Sequence, residues 1–258
     1  MGAETLYIAV LEMENTRAGL QRQLEALDRT AAEMQIRHKY GQVSALNLQQ
    51  VENGRTQLTS GIATLEMNLA NCICQLEVML GLSPSGNLSL SEIPEISDAQ
   101  ISEMIPMEEA LALTKEKSYE LYTADKTLEE AEETFRESKR NAPGLQSMEY
   151  KQAVHTFDAA KFSHQATVQN FELSFRTVYT AVGNYRQALD AAESALTYEK
   201  NALAAVEVKY QHGNVSLNTL LEARDALSTA EAAVLTAKHN LFTAYHNYQL
   251  AVEHGILN

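Results

Sequence analysis

The chain is poor in proline, tryptophan, cysteine and long apolar runs. Only 4 prolines stand among 258 residues, and three of them fall between positions 82 and 106. Outside that stretch little interrupts a helix. No run of about 18 apolar residues occurs, so no transmembrane helix is expected. Met1-Gly2-Ala3-Glu4 has no basic start and no apolar core of a signal peptide. The chain is therefore cytoplasmic, or its sequence begins after a removed segment. The two cysteines, Cys72 and Cys74, point to different sides of a helix and cannot form a local disulfide. They read as small core or surface residues. Positive charge is also scarce: 20 Lys and Arg against 34 Asp and Glu leave a net charge of -14. That balance argues against a nucleic-acid backbone as partner. It fits solubility, or a cationic partner or solute.

What is present is the stuff of long helices: Ala, Leu, Glu, Gln, Lys and Arg, with 45% hydrophobic and 21% charged residues. Residues 4 to 38 carry Leu6, Val10, Met13, Leu20, Leu24, Leu27, Ala31 and Met34 at spacings of three and four, broken at Arg17. A second helix is expected from about Ser44 to Leu80. Its seam is Leu48, Val51, Leu58, Ile62, Leu65, Leu69, Cys72, Leu76 and Met79, broken at Arg55. Apolar residues repeating this way over several heptads signal coiled-coil packing. Gly81 and Pro84 stop the helix, and residues 82 to 106 form a connector with room for a short strand or helical turn.

A further helix starts after Pro106, with Glu108 and Glu109 in its favoured first turn, and is expected to reach about Arg140. Asn141-Ala142-Pro143-Gly144 breaks it. From about Met148 to Gln211 the seam Val168, Phe171, Phe175, Val178, Val182, Tyr185, Leu189, Ala192, Leu196, Leu203, Val206 and Tyr210 predicts one helix. Its length would be roughly 95 Å, too long for a compact globule. After Gly213 the last seam alternates large and small: Leu220, Ala223, Leu227, Ala230, Val234, Ala237, Leu241, Ala244, Tyr248 and Ala251. Its alanines allow helix axes to approach closely.

Between the paired helices one short stretch is written twice: Gly41-Gln42-Val43-Ser44 and Gly213-Asn214-Val215-Ser216. A shift of 172 positions lays one on the other, lays Leu48 on Leu220, and superposes the flanking seams. Shared register about a common glycine reads as a duplication. Each stretch is the tip of a helical hairpin. The glycines supply the positive φ of a tight turn. Ser44 and Ser216 read as N-caps of the returning helices, with contact to a partner as a second role. Tyr210 is either a seam residue or part of a tip latch.

These residues resemble the TolC-like outer-membrane efflux proteins over nearly the whole chain. The family's repeat opens with a helix like Met107-Glu108-Glu109-Ala110-Leu111-Ala112-Leu113, followed by a segment like Tyr119-Glu120-Leu121. Tyr210 and Gly213 match its Tyr-x-x-Gly helix end; Ser216 and Leu220-Leu221 match its tip; Leu80-Gly81 matches the end of its returning helix. The resemblance implies an all-α chain of long antiparallel coiled-coil hairpins, internally duplicated, forming one subunit of a trimeric α-barrel. It implies a first hairpin at 1–82, a connector at 83–106 and a second repeat at 107–258. The implied function is a conduit for tripartite efflux or type I secretion. Its tips dock a periplasmic adaptor and, through it, an inner-membrane pump, at the periplasmic face of the outer membrane.

The sequence departs from the family at three places. Only about Asn141 to Gln146 stands where the family has a two-stranded membrane hairpin, too short for two strands of about 9 to 11 residues each. No direct membrane span is therefore expected from this chain, and the fold is TolC-like without its β-barrel. The first repeat lacks a counterpart of the helix after Pro106. At the tips Asn47 and Thr219 stand where the family has Asp, and His38 stands in the first repeat where Tyr210 stands in the second.

The resulting candidates for adaptor contact are Tyr40, Gly41, Val43, Ser44, Tyr210, Gly213, Val215 and Ser216. Asn47, Glu52, Asn218, Thr219 and Glu222 are candidates to line an aperture; Asn47, Asn218 and Glu222 read otherwise as solvated turn residues. No catalytic, cofactor or metal site is expected. Seven scattered histidines form no Glu-x-x-His pair, and no phosphate loop, dinucleotide fingerprint or nucleophile elbow occurs. The run Glu129, Glu130, Glu132, Glu133 reads as a solvated face. The rival expectation is a structural coiled-coil scaffold or spacer with no pore.

Overall fold

The computed structural model describes residues 2–141 and 147–257. Among the described residues seven helices follow one another: α1 Gly2–Lys39, α2 Ala45–Met79, α3 Asp98–Ser102, α4 Met107–Lys117, α5 Tyr119–Asn141, α6 Met148–Gln211 and α7 Leu217–His254. Among the described residues there is no strand and no helix long and apolar enough to cross a membrane. The segment expected to stand in for the membrane hairpin lies, at 142–146, outside the described residues.

The helices form two compact units. The first comprises Met1–Pro94 and Leu189–His239. Here α1 runs antiparallel to α2. Arg55 Nε meets Asp28 Oδ1 at 2.5 Å, Gln35 Nε2 donates to Glu52 Oε1 at 3.1 Å, and Val10 packs on Leu69 and Ile73. Leu88 and Leu90 of the connector close over that cluster, beside Met13 and Cys72. The connector is clamped by Glu77. Its carboxylate, 3% exposed, accepts from Ser85 N–H at 2.5 Å, Ser85 Oγ–H at 2.7 Å, Gly86 N–H at 2.8 Å and Asn87 N–H at 3.3 Å. The Gly86 N–H leads the groups that hold this carboxyl below the usual carboxylate range.

The second unit comprises Glu95–Ala188 and Asn240–Asn258. Here α6 and α7 pack on Phe175, Val182, Leu241, Ala244, Tyr248 and Ala251, all buried. The large-small alternation read along α7 lets Tyr179 reach Tyr248 edge-on, with ring centroids 5.8 Å apart. Nearer the start of α6, α5 runs antiparallel to it, stacking Phe135 on Phe157 at 5.2 Å. Lys115 of α4 pairs with Glu172 of α6 at 2.5 Å. In the connector, α3 is closed by a capping box between Ser97 and Gln100.

Two expectations are corrected. The helix after Pro106 is not continuous to Arg140: it breaks at Ser118. Ser118 is extended, at φ -70° and ψ 118°, and its Oγ accepts from Leu121 N–H at 3.3 Å, capping α5. Tertiary contact accompanies the break. Lys117 donates to the Val252 carbonyl, and Gly255 sits so close that a Cβ there would lie 2.5 Å from Lys117 C. Second, three seam positions, Met79, Tyr185 and Tyr210, are exposed. Met79 falls outside the buried stripe because a 3.6-residue helix drifts against a strict heptad, leaving Leu76 and Glu77 inside. Tyr185 lines an open groove of about 230 Å³ where α6 and α7 part.

Candidate functional site

The two tips sit in the same unit, and their local structure follows from the paired sequence. At the first, Gly41 has φ 70°; its N–H donates to the His38 carbonyl at 2.9 Å, and Gln42 N–H donates to the Arg37 carbonyl at 2.9 Å. At the second, Gly213 has φ 72°; its N–H donates to the Tyr210 carbonyl at 2.9 Å, and Asn214 N–H to the Lys209 carbonyl at 2.8 Å. This bond pair closes a helix end when a left-handed residue follows it. Glycine takes that conformation without a Cβ penalty.

The chain then turns into the returning helix. Ser44 Oγ accepts from Asn47 N–H at 3.2 Å, and Ser216 Oγ accepts from Thr219 N–H at 3.2 Å. Ser44 and Ser216 carbonyls likewise accept from Leu48 and Leu220 N–H. Each of these bonds maps onto its partner under the 172-position shift that aligns the sequences. The capping reading of the two serines and the turn reading of the two glycines therefore hold in the structure.

The tips present side chains outward. Tyr40 is 74% exposed, Leu46 64%, Leu217 53% and Tyr210 40%. Val43 and Val215 are half-buried, and Leu220 is buried. The tips differ at one latch: His38 Nδ1 lies 2.9 Å from the Val43 carbonyl, whereas Tyr210 occupies the equivalent place in the second. Asn218 Nδ2 donates to Glu33 at 3.4 Å and so ties α7 to α1. Of the other residues considered for an aperture, Glu52 is held by Gln35 and by Arg55 at 3.7 Å, and Thr219 Oγ1 lies 3.0 Å from Ser216 Oγ. Asn47 and Glu222 are exposed.

Heptad reading missed a polar ladder behind the tips, between α1 and α7. Glu12 meets the buried His239, whose Nδ1 donates because a carboxylate only accepts. Asn15 Nδ2 donates to the Ala232 carbonyl and to Thr236 Oγ1, both at 3.2 Å. Arg22 reaches the Ser228 carbonyl at 3.5 Å, and Arg29 pairs with Asp225. The ladder borders an open groove of about 510 Å³ lined by Gly19, Ala26 and Ala233 among others. A signal for it was present. Glu12, Asn15, Arg22, Arg29 and Glu33 recur at helical spacing beside the apolar seam.

No group of three or more His, Cys, Asp or Glu side chains among the described residues forms a metal site. Compared as sequence, the chain matches no family model and no curated protein. Compared as structure, it resembles outer membrane channels. A membrane protein of Pseudomonas aeruginosa matches at TM-score 0.65 and 13% identity, over 98% of this chain and 67% of that one. The outer membrane protein VceC of Vibrio cholerae matches at TM-score 0.56 and 12% identity, over 98% and 68%. The CmeC outer membrane channel of Campylobacter jejuni matches at TM-score 0.56 and 15% identity, over 99% and 62%. Identities this low speak to fold. The fold is all-α, built from long helical hairpins of the TolC-like kind, as the repeated tips led us to expect.

Proposed function

We propose that the chain is a non-enzymatic conduit subunit of a tripartite efflux or type I secretion system. Three copies form a helical tunnel, and the hairpin tips dock a periplasmic adaptor that links the tunnel to an inner-membrane pump. The subunit works at the periplasmic face of the outer membrane. On this reading residues 1–82 and 107–258 are two repeats joined by 83–106. Tyr40, Gly41, Val43, Ser44, Tyr210, Gly213, Val215 and Ser216 contact the adaptor; Asn47, Glu52, Asn218, Thr219 and Glu222 border the aperture. One observation carries the proposal. Two tips with matching hydrogen bonds lie in one unit of a chain whose fold is that of outer membrane channels.

Light scattering combined with electron microscopy tests it. The expected species is a trimer with a central lumen. A rod-like dimer without a lumen would replace the conduit with a coiled-coil spacer.

A further inference from the structure

The chain is strongly acidic, yet its tips are not. From Met34 to Val51 the formal charges are Arg37 and Lys39; from Val208 to Leu221 the formal charge is Lys209. Both windows lack a carboxylate, although the whole chain carries -14. Of the four flanking acids, three are engaged with cations of their own helices or of a neighbour, and the fourth, Glu222, is exposed. Glu33 pairs with Arg37 at 2.5 Å, Glu52 lies 3.7 Å from Arg55, and Glu207 lies 3.5 Å from Arg224. Glu222 stands one residue beyond the second window. Lys39 and Lys209 are exposed, and beside them stand the exposed apolar side chains Ile36, Tyr40, Leu46, Val208, Tyr210 and Leu217.

An exposed surface that joins apolar side chains to one sign of charge, on a molecule of the opposite sign, is suited to selective association. Burial of the apolar groups supplies affinity, while the charges orient the encounter and reject like-charged surfaces. We infer that the tips dock a protein surface that places carboxylates beside apolar side chains, an acidic tip rather than a basic one. The rest of this molecule repels such a partner, so attraction is confined to the tips. The inference rests on the docking reading above and adds the partner's charge.

The test uses the full chain in its native cell, with a benzophenone side chain placed at Tyr40 or Leu217 for photo-cross-linking. Mass spectrometry reads the cross-linked peptide. The expected peptide is net negative and contains apolar residues. Reversing both lysines, K39E with K209E, should lower capture about tenfold. Reversing the acids of the captured segment to lysine should restore it. Because Lys39 and Lys209 are exposed, an unchanged circular dichroism melt is expected for the double variant and separates lost docking from lost folding. A captured peptide that is neutral or basic, or capture indifferent to the reversals, would overturn the acidic partner while leaving tip docking standing. No protein cross-link at either position would overturn docking as well. Cross-linking to phospholipid instead, reproduced by phosphatidylglycerol vesicles, would replace the protein partner with an anionic membrane surface.

Discussion

Glycine at three positions shows how differently one residue type is used here. Gly41 and Gly213 have positive φ, and nothing lies within 4 Å of a Cβ built on them. Alanine there meets backbone strain alone, about 1–2 kcal/mol. Gly255 also has positive φ, but its Cβ would lie 2.6 Å from the Ser118 nitrogen and 2.5 Å from Lys117 C. We therefore expect Gly255→Ala to destabilise clearly more than Gly213→Ala, with chemical denaturation as the readout. Glu77 is the other residue whose job was hidden. The fold holds its carboxyl below the ordinary range. Its stabilisation is thus present above the unfolded carboxylate pKa and disappears as pH falls through the lower folded value. Glu77→Gln should melt earlier than the parent at pH 7, and the gap should close in acid. Thermal melts at several pH values check this. A heptad search assigns Glu77 no place, because its partners come from the connector.

Among elements, the helix ends were the most readable feature. Ser44 and Ser216 cap α2 and α7 through equivalent bonds at 3.2 Å. Replacing either by alanine should cost about 1 kcal/mol, by a similar amount at both tips. Unequal losses would mean that the duplicated tips are not energetically equivalent. The break at Ser118 was not legible. Its local sequence, Glu116-Lys117-Ser118-Tyr119-Glu120, contains neither proline nor glycine. The glycine that fits this corner stands at position 255, far along the chain. Long-range packing of this kind leaves no local pattern to read.

At the scale of the molecule, each unit is assembled from distant parts of the chain. In unit 1, α1 lies against residues 189–239, through the Arg29–Asp225 pair and the Glu12–His239 contact among others. Deleting residues 1–82 should therefore speed amide hydrogen exchange across 189–239 while 148–188 keeps its protection in unit 2. Uniform exchange along all of α6 would contradict the two-unit organisation. The charge pattern belongs to this scale too. Net charge by itself fits solubility, or a cationic partner or solute; the distribution of exposed residues at the tips points to an acidic partner.

Sequence by itself determined the long helices on either side of the tips, the two tips and their duplication, because period, capping and turn chemistry are local and repeat in register. Only the tertiary structure decided which polar residues matter. Glu12 finds His239, Arg29 finds Asp225, and Glu77 finds the connector, because folding brings together groups that are far apart or unpatterned in the chain. The structure also showed that Tyr40, Leu46 and Leu217 stand exposed beside Lys39 and Lys209. A seam pattern says which face is apolar, but burial depends on what else the fold lays against that face.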